Sequence, residues 1–160
     1  MNQKKLIFLI FIIACMACKP KVELYLERGL DILSNKKELK FKIYQDLIID
    51  ELGVIRDQKE NKKTLVFKLN KSVTDTFFKT ENLLGVRVWI EDKNKNKRIE
   101  NWDFKPKLTQ VNDYKYIIKE IFVKEHQIKK MKLYIYQNRD NKKHKVGKDT
   151  LLHKINTYND

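Results

Sequence analysis

Glu38-Leu39-Lys40-Phe41-Lys42-Ile43-Tyr44 decides the fold class. Leu39, Phe41 and Ile43 alternate with Lys40, Lys42 and Tyr44. A period of two puts one set of side chains on each face of an extended chain, so this is a half-buried strand. The same reading extends outward along the sequence. Leu47 to Ile55 stays apolar across Gly53 and predicts a second strand with a bulge or turn. Leu65, Phe67 and Leu69 alternate with Val66 and Lys68, and Val86, Val88 and Ile90 alternate with Arg87 and Trp89. Tyr114 to Val123 sets Tyr114, Tyr116, Ile118, Glu120 and Phe122 on one face, with Ile117, Ile121 and Val123 near the other. Leu133 to Tyr136 and Leu151 to Ile155 complete the pattern. About seven strands joined by polar turns such as Asp57 to Lys63 predict a mainly β, β-sandwich-like single domain spanning 22–160.

Two short helices are also expected. Val22, Tyr25, Leu26, Leu30 and Leu33 recur at helical spacing, and Ser34-Asn35 stops them. Ser72-Val73-Thr74-Asp75 has the form of a capping box. It predicts a helix from Val73 to Leu84 that buries Phe77, Phe78, Leu83 and Leu84 and closes at Gly85.

The N-terminus belongs to a different class of signal. Lys4 and Lys5 precede the unbroken apolar run Leu6 to Ile13. That run is too short for a spanning helix, which takes about 20 residues, and it fits a cleaved signal. Ile12-Ile13-Ala14-Cys15 resembles a lipobox, in which two aliphatics and a small residue precede the cysteine that receives lipid. The expected division is a signal peptide over 1–14, and a lipidated Cys15 with a short tether over 15–21. Cys18, after Cys15-Met16-Ala17, is the alternative acceptor. These are the only two cysteines in the chain, so the domain is expected to hold no disulfide and no thiolate metal site. Diacyl plus N-acyl (palmitate-type) modification gives stable anchoring where one chain does not.

Charge then bears on partners. The chain has 35 Lys+Arg against 21 Asp+Glu, a formal net charge of +14. Removing 1–14 takes Lys4 and Lys5 and no acid, leaving 33 basic residues and a net charge of +12. In a cytoplasmic protein this excess suggests nucleic acid. An envelope protein instead meets anionic lipid, acidic polysaccharide or acidic proteins. An AT-rich coding sequence, which favours Lys and Asn, accounts for much of the same composition.

Met1 to about Pro20, together with the Lys/Asn-rich body, resembles the outer-surface lipoproteins of spirochaetes. The resemblance covers the signal and composition only. It implies membrane anchoring and display as a surface antigen at the cell outer membrane, and it carries no active site.

The stretch from Asp92 to Asp103 resembles the calcium loop of EF-hand and dockerin-type modules. Asp92, Asn94 and Asn96 stand at the first, third and fifth positions. Arg98 would offer its backbone carbonyl, Ile99 is the apolar pin, and Glu100 and Asp103 stand at the ninth and twelfth. Alternate oxygens of a tight turn converge on one centre, which suits calcium and its six to eight ligands. Lys97 replaces the glycine of the pattern, and Asp103 its bidentate glutamate. Calcium is the one cofactor the sequence suggests.

A second strand–loop–strand unit, Lys132 to Val146, echoes the one that begins at Val86. Its loop holds Lys142, Lys143, His144 and Lys145, which with Lys148 just beyond form a basic cluster able to receive sulfate or phosphate groups. Trp89 and Trp102 flank the first loop. Trp102 reads as core, with an exposed anchor for a partner as the alternative.

Catalytic signatures are missing. His126, His144 and His153 are scattered, no Gly-x-Ser-x-Gly or phosphate loop occurs, and the chain has four glycines in all. The expectation is a lipid-anchored, non-enzymatic envelope protein that binds a host protein or acidic polysaccharide, not nucleic acid. A periplasm-facing structural or assembly lipoprotein and a calcium-dependent β-sandwich module are the alternatives.

Overall fold

The computed structural model describes residues 21–56, 61–91, 94–124, 127–139 and 142–157. The signal peptide, Cys15, Cys18 and most of the tether lie outside the described residues, as do Asp92, His126, Asp140 and most of the 57–63 turn.

The chain opens with helix α1 (Lys21–Glu27) and continues as nine strands: β1 (Lys37–Tyr44), β2 (Leu47–Arg56), β3 (Lys62–Leu69), β4 (Asn82–Glu91), β5 (Lys97–Phe104), β6 (Thr109–Val111), β7 (Tyr114–Phe122), β8 (Gln127–Arg139) and β9 (Lys142–Asn156). All pairings are antiparallel. One sheet has the order β1-β2-β3-β7-β6 and the other β5-β4-β8-β9. The two face each other as a β-sandwich. β1 and β9 meet at one side, where the Lys37 ammonium donates to the His153 carbonyl at 2.7 Å.

The strands form where the period of two allows an inner face. Leu65, Phe67 and Leu69 from β3, Leu84, Val86, Val88 and Ile90 from β4, and Met131, Leu133 and Ile135 from β8 share one buried cluster. Several strands carry bulges that shift the alternation, β2 and β8 among them. In β2, Leu47 and Ile49 and then Leu52 and Val54 all enter this core, because the register shifts between Ile49 and Glu51 and flips the parity. The bulge therefore sits at Asp50, ahead of Gly53. In β8, a shift opposite Trp89/Ile90 lets Ile128 join Met131 on the inside.

The first sheet is buried on its outer face as well. Tyr25, Leu26, Leu30 and Leu33 pack on Ile55, Val66 and Tyr116, and the Tyr116 hydroxyl donates to the Leu26 carbonyl at 2.7 Å. This second cluster explains why Tyr116 and Ile117, neighbours on opposite faces of β7, are both fully buried. The predicted helix over 22–33 is shorter than expected. The Gly29 amide bonds to the Leu26 carbonyl and the Leu30 amide to that of Tyr25, a Schellman ending that needs a left-handed residue. Gly29, at φ +66°, supplies it. Leu30 and Leu33 still reach the sheet, but from the turn that follows.

The predicted helix over 73–84 does not form. A single 3-10 turn (Phe77–Lys79) stands there, and Asn82, Leu83, Leu84 and Gly85 begin β4. Ser72 does not cap a helix. Its amide and hydroxyl both donate to the Asn70 side chain, at 3.1 and 2.8 Å. Pairing of Leu83 with Tyr136 and Leu84 with Ile135 outweighs a weak local helix signal rich in threonine.

Candidate functional site

The outer face of the second sheet has no layer over it among the described residues. Strand alternation sends Val86, Val88 and Ile90 inward and leaves Gly85, Arg87 and Trp89 outward on β4. β8 likewise buries Met131, Leu133 and Ile135 and turns Lys130, Lys132, Tyr134 and Tyr136 outward. Register places Arg87 beside Lys132 and Trp89 beside Lys130.

Three strands meet at Gly85, which pairs with Tyr134 of β8 and with Asp103 of β5. The Tyr134 ring lies across β4 in the space over this glycine: a Cβ at Gly85 would stand 2.3 Å from the ring. From there the phenol donates to Asp103 Oδ1 at 3.1 Å. Lys143 of β9 reaches Asp103 Oδ2 at 3.0 Å and sits 4.8 Å from the centre of the Tyr136 ring, a cation–π contact. Tyr134 and Tyr136 are near-parallel, 6.2 Å apart at an interplanar angle of 26°. Asp149 accepts from both Lys132 and Lys145, the latter at 2.9 Å.

Tyr134, Tyr136 and Asn101 line an open cavity of ≈ 480 Å³ whose charged side chains are Arg87, Lys132, Lys143 and Lys145 against Asp103. Partial burial works to raise the Asp103 carboxyl, but hydrogen bonds from Lys143, Tyr136 and Tyr134 outweigh it and hold the group below the usual carboxylate range. Hydrogen bonds from Lys132 and Lys145 take Asp149 down to about 2. The Tyr134 hydroxyl is pushed up, first by burial and then by Asp103. At neutral pH both acids are charged, both phenols are protonated, and cations remain in excess.

The structure redistributes the residues singled out in the sequence. The stretch read as a calcium loop is described only in part. Lys97 to Phe104 is strand β5, antiparallel to β4, so Glu100 and Asp103 project from opposite faces. Glu100 accepts from Arg98 at 2.7 Å, while Asp103 is held by Tyr134 and Lys143 on the outer face. Asn94 and Asn96 are exposed in the connection, and Asp92 lies outside the described residues. No group of three or more His, Cys, Asp or Glu able to hold a metal ion occurs among the described residues.

The basic cluster is likewise a strand, not a loop. Lys143 and Lys145 face the cavity, whereas Lys142 and His144 alternate to the other side and Lys148 lies beyond the lining. Trp102 packs against the main core, as read, and Trp89 stands half-buried on the open face. Sequence reasoning placed Lys132 near the basic cluster but missed Arg87, Tyr134 and Tyr136, which line the same cavity as Lys143. The available signal was the polar and aromatic set at even spacing along β8.

No protein-family model, curated protein or solved structure matches this chain. No helix among the described residues is long and apolar enough to cross a membrane.

Proposed function

We propose that this chain is a lipid-anchored cell-envelope protein that holds an anionic ligand on the open face of its second sheet. The supporting observation is the convergence of Arg87, Lys132, Lys143 and Lys145 around two tyrosines on an uncovered sheet. These cations offer charge-assisted hydrogen bonds to sulfate, carboxylate or phosphate oxygens. Asp103 and Asp149 hold three of them in fixed positions rather than neutralising the face. Anchoring and outer-membrane display rest on the lipobox-like Ile12-Ile13-Ala14-Cys15 and belong to the same proposal. The role is binding, not catalysis.

Chromatography of the detergent-solubilised full chain on an immobilised heparin-type polysaccharide tests the reading. Retention at low salt and release by added salt are expected, because screening acts over about 8 Å at physiological ionic strength. Lys143→Gln/Lys145→Gln should elute at clearly lower salt. Lys40→Gln/Lys42→Gln, which removes the same charge from the other sheet, should elute near the native position. Equal shifts would reduce the interaction to net charge, and absence of retention would end the proposal. Protease treatment of intact cells tests display separately: clipping supports the surface, and protection until the outer membrane is opened supports a periplasm-facing protein.

A further inference from the structure

The cavity around Tyr134 does not end at Lys132. A second cavity of ≈ 480 Å³ shares Lys132 and adds Trp89, Lys130 and Asp149. A third of ≈ 500 Å³ shares Trp89 and Lys130 and continues past the half-exposed Ile99. Shared walls make the three one trough on the outer face of β4 and β8. Trp89 pairs with Lys130 at one level and Leu83 with Tyr136 at another, six residues away, so the aromatic-lined part runs ~20 Å along the strands. Cations outnumber acids in each segment: four to one, two to one and four to one.

We infer that the ligand is a linear acidic carbohydrate chain lying lengthwise in this trough, its rings against Trp89 and the Tyr134–Tyr136 pair and its acid groups over Arg87 and Lys130. This rests on the anionic-ligand reading above and deepens it. Length argues against a free anion, which one segment would satisfy. The mixture of groups argues for a sugar. Asp103, Asp149 and Asn101 are hydrogen-bond acceptors set among the cations, and they suit a ligand with both acid groups and many hydroxyl donors. A nucleic-acid backbone offers those carboxylates charge repulsion and few donors. The aromatic side chains supply flat apolar surface with a polar rim, which matches the apolar face and hydroxyl edge of a pyranose. Arg87 and Lys130 have no ion-pair partner among the described residues; Arg87 donates to Asn101 at 2.6 Å. With Lys97 of the third segment, also without an ion-pair partner among the described residues, they are the cations most available to a ligand.

Trp89 provides the test, because the chain has only two tryptophans and Trp102 packs on the inner side. In the full-length Trp102→Phe variant, Trp89 emission should shift on titration with a long sulfated polysaccharide. A sulfated disaccharide should bind at least tenfold more weakly. Inorganic polyphosphate and a single-stranded oligonucleotide should leave the emission unchanged at the same ionic strength. Arg87→Gln/Lys130→Gln should weaken polysaccharide binding tenfold or more. Should Trp102→Phe fail to fold, the native chain carrying 5-fluorotryptophan gives one ¹⁹F signal per tryptophan, and only that of Trp89 should move. Column retention without any response at Trp89 would overturn the trough and leave the anionic-ligand proposal standing. An equal response to the oligonucleotide would overturn the carbohydrate assignment. No retention at all would remove both.

Discussion

Gly85→Ala separates the role of the tyrosine crossing from that of the fold. Gly85 is not at positive φ, so alanine brings no backbone strain. Its Cβ would instead stand 2.3 Å from Tyr134 Cε2 and Cζ and 2.8 Å from Oη. Ordinary carbon contacts lie near 3.5–4.0 Å, so the ring must lift by about 1 Å or more. The Tyr134–Asp103 hydrogen bond is already 3.1 Å long and does not survive that movement. Losing one partly exposed hydrogen bond costs about 1 kcal/mol. Alanine in place of glycine within a strand returns about 0.5–1 kcal/mol. The net change in stability is therefore within about 1 kcal/mol, a shift of only a few degrees in Tm. The electrostatic change is not cancelled. Asp103 loses one of the donors that hold its carboxyl down, so its pKa rises towards the ordinary value. Carboxyl ¹³C NMR titration of native and variant chains measures this directly, with calorimetry alongside. An unmoved Asp103 titration would refute the crossing. A loss above about 3 kcal/mol would show that β4, rather than the ring, has to give way.

Three further outcomes follow from the same structure. Tyr116→Phe leaves the Leu26 carbonyl without its buried donor and should cost about 1–2 kcal/mol, with amide exchange rising in α1 before the sheets. Uniform loosening of both sheets would contradict the separate packing of that helix. Leu133→Ala removes a fully buried side chain between the sheets and should cost about 2–5 kcal/mol by urea melting. A loss below 1 kcal/mol would mean the inner face is misassigned. Asp149 is depressed in the folded state, so its contribution is complete above about pH 4, the unfolded carboxylate value, and fades as pH falls through about 2. Discounted for its surface position, that contribution is ~1 kcal/mol. Asp149→Asn should lower stability at pH 7 and converge with the native chain near pH 2, whereas a constant gap across that range would refute the pairing with Lys132 and Lys145.

Most strands could be read from the sequence because the signal is local. Phe41-Lys42-Ile43 and Val86-Arg87-Val88 carry their period of two whatever they pair with. The β5 strand could not be read this way. Lys97 to Phe104 is charged and exposed along much of its length, and it is a strand because β4 offers it an edge. The same residues also carry the pattern of a metal loop, since oxygen-bearing side chains at alternate positions suit both a tight turn and an outward-facing edge strand. The helix expected at Val73 failed for a related reason: local capping chemistry was present, but the competing strand pairs of Leu83 and Leu84 lie more than fifty residues away.

The sequence by itself determined a mainly β chain with an aliphatic inner face, a large excess of positive charge, and the apolar set Leu26, Leu30 and Leu33 ahead of the first strand. These follow from short-range periodicity and from counting. Tertiary structure alone decided which charges meet. Arg87, Asp103, Tyr134 and Lys143 come from four strands spread over more than fifty residues. They share a face only through the order β5-β4-β8-β9 and the register of each pair. A one-residue slip would send every one of these side chains into the core, so the register that protects the apolar interior also assembles the open face.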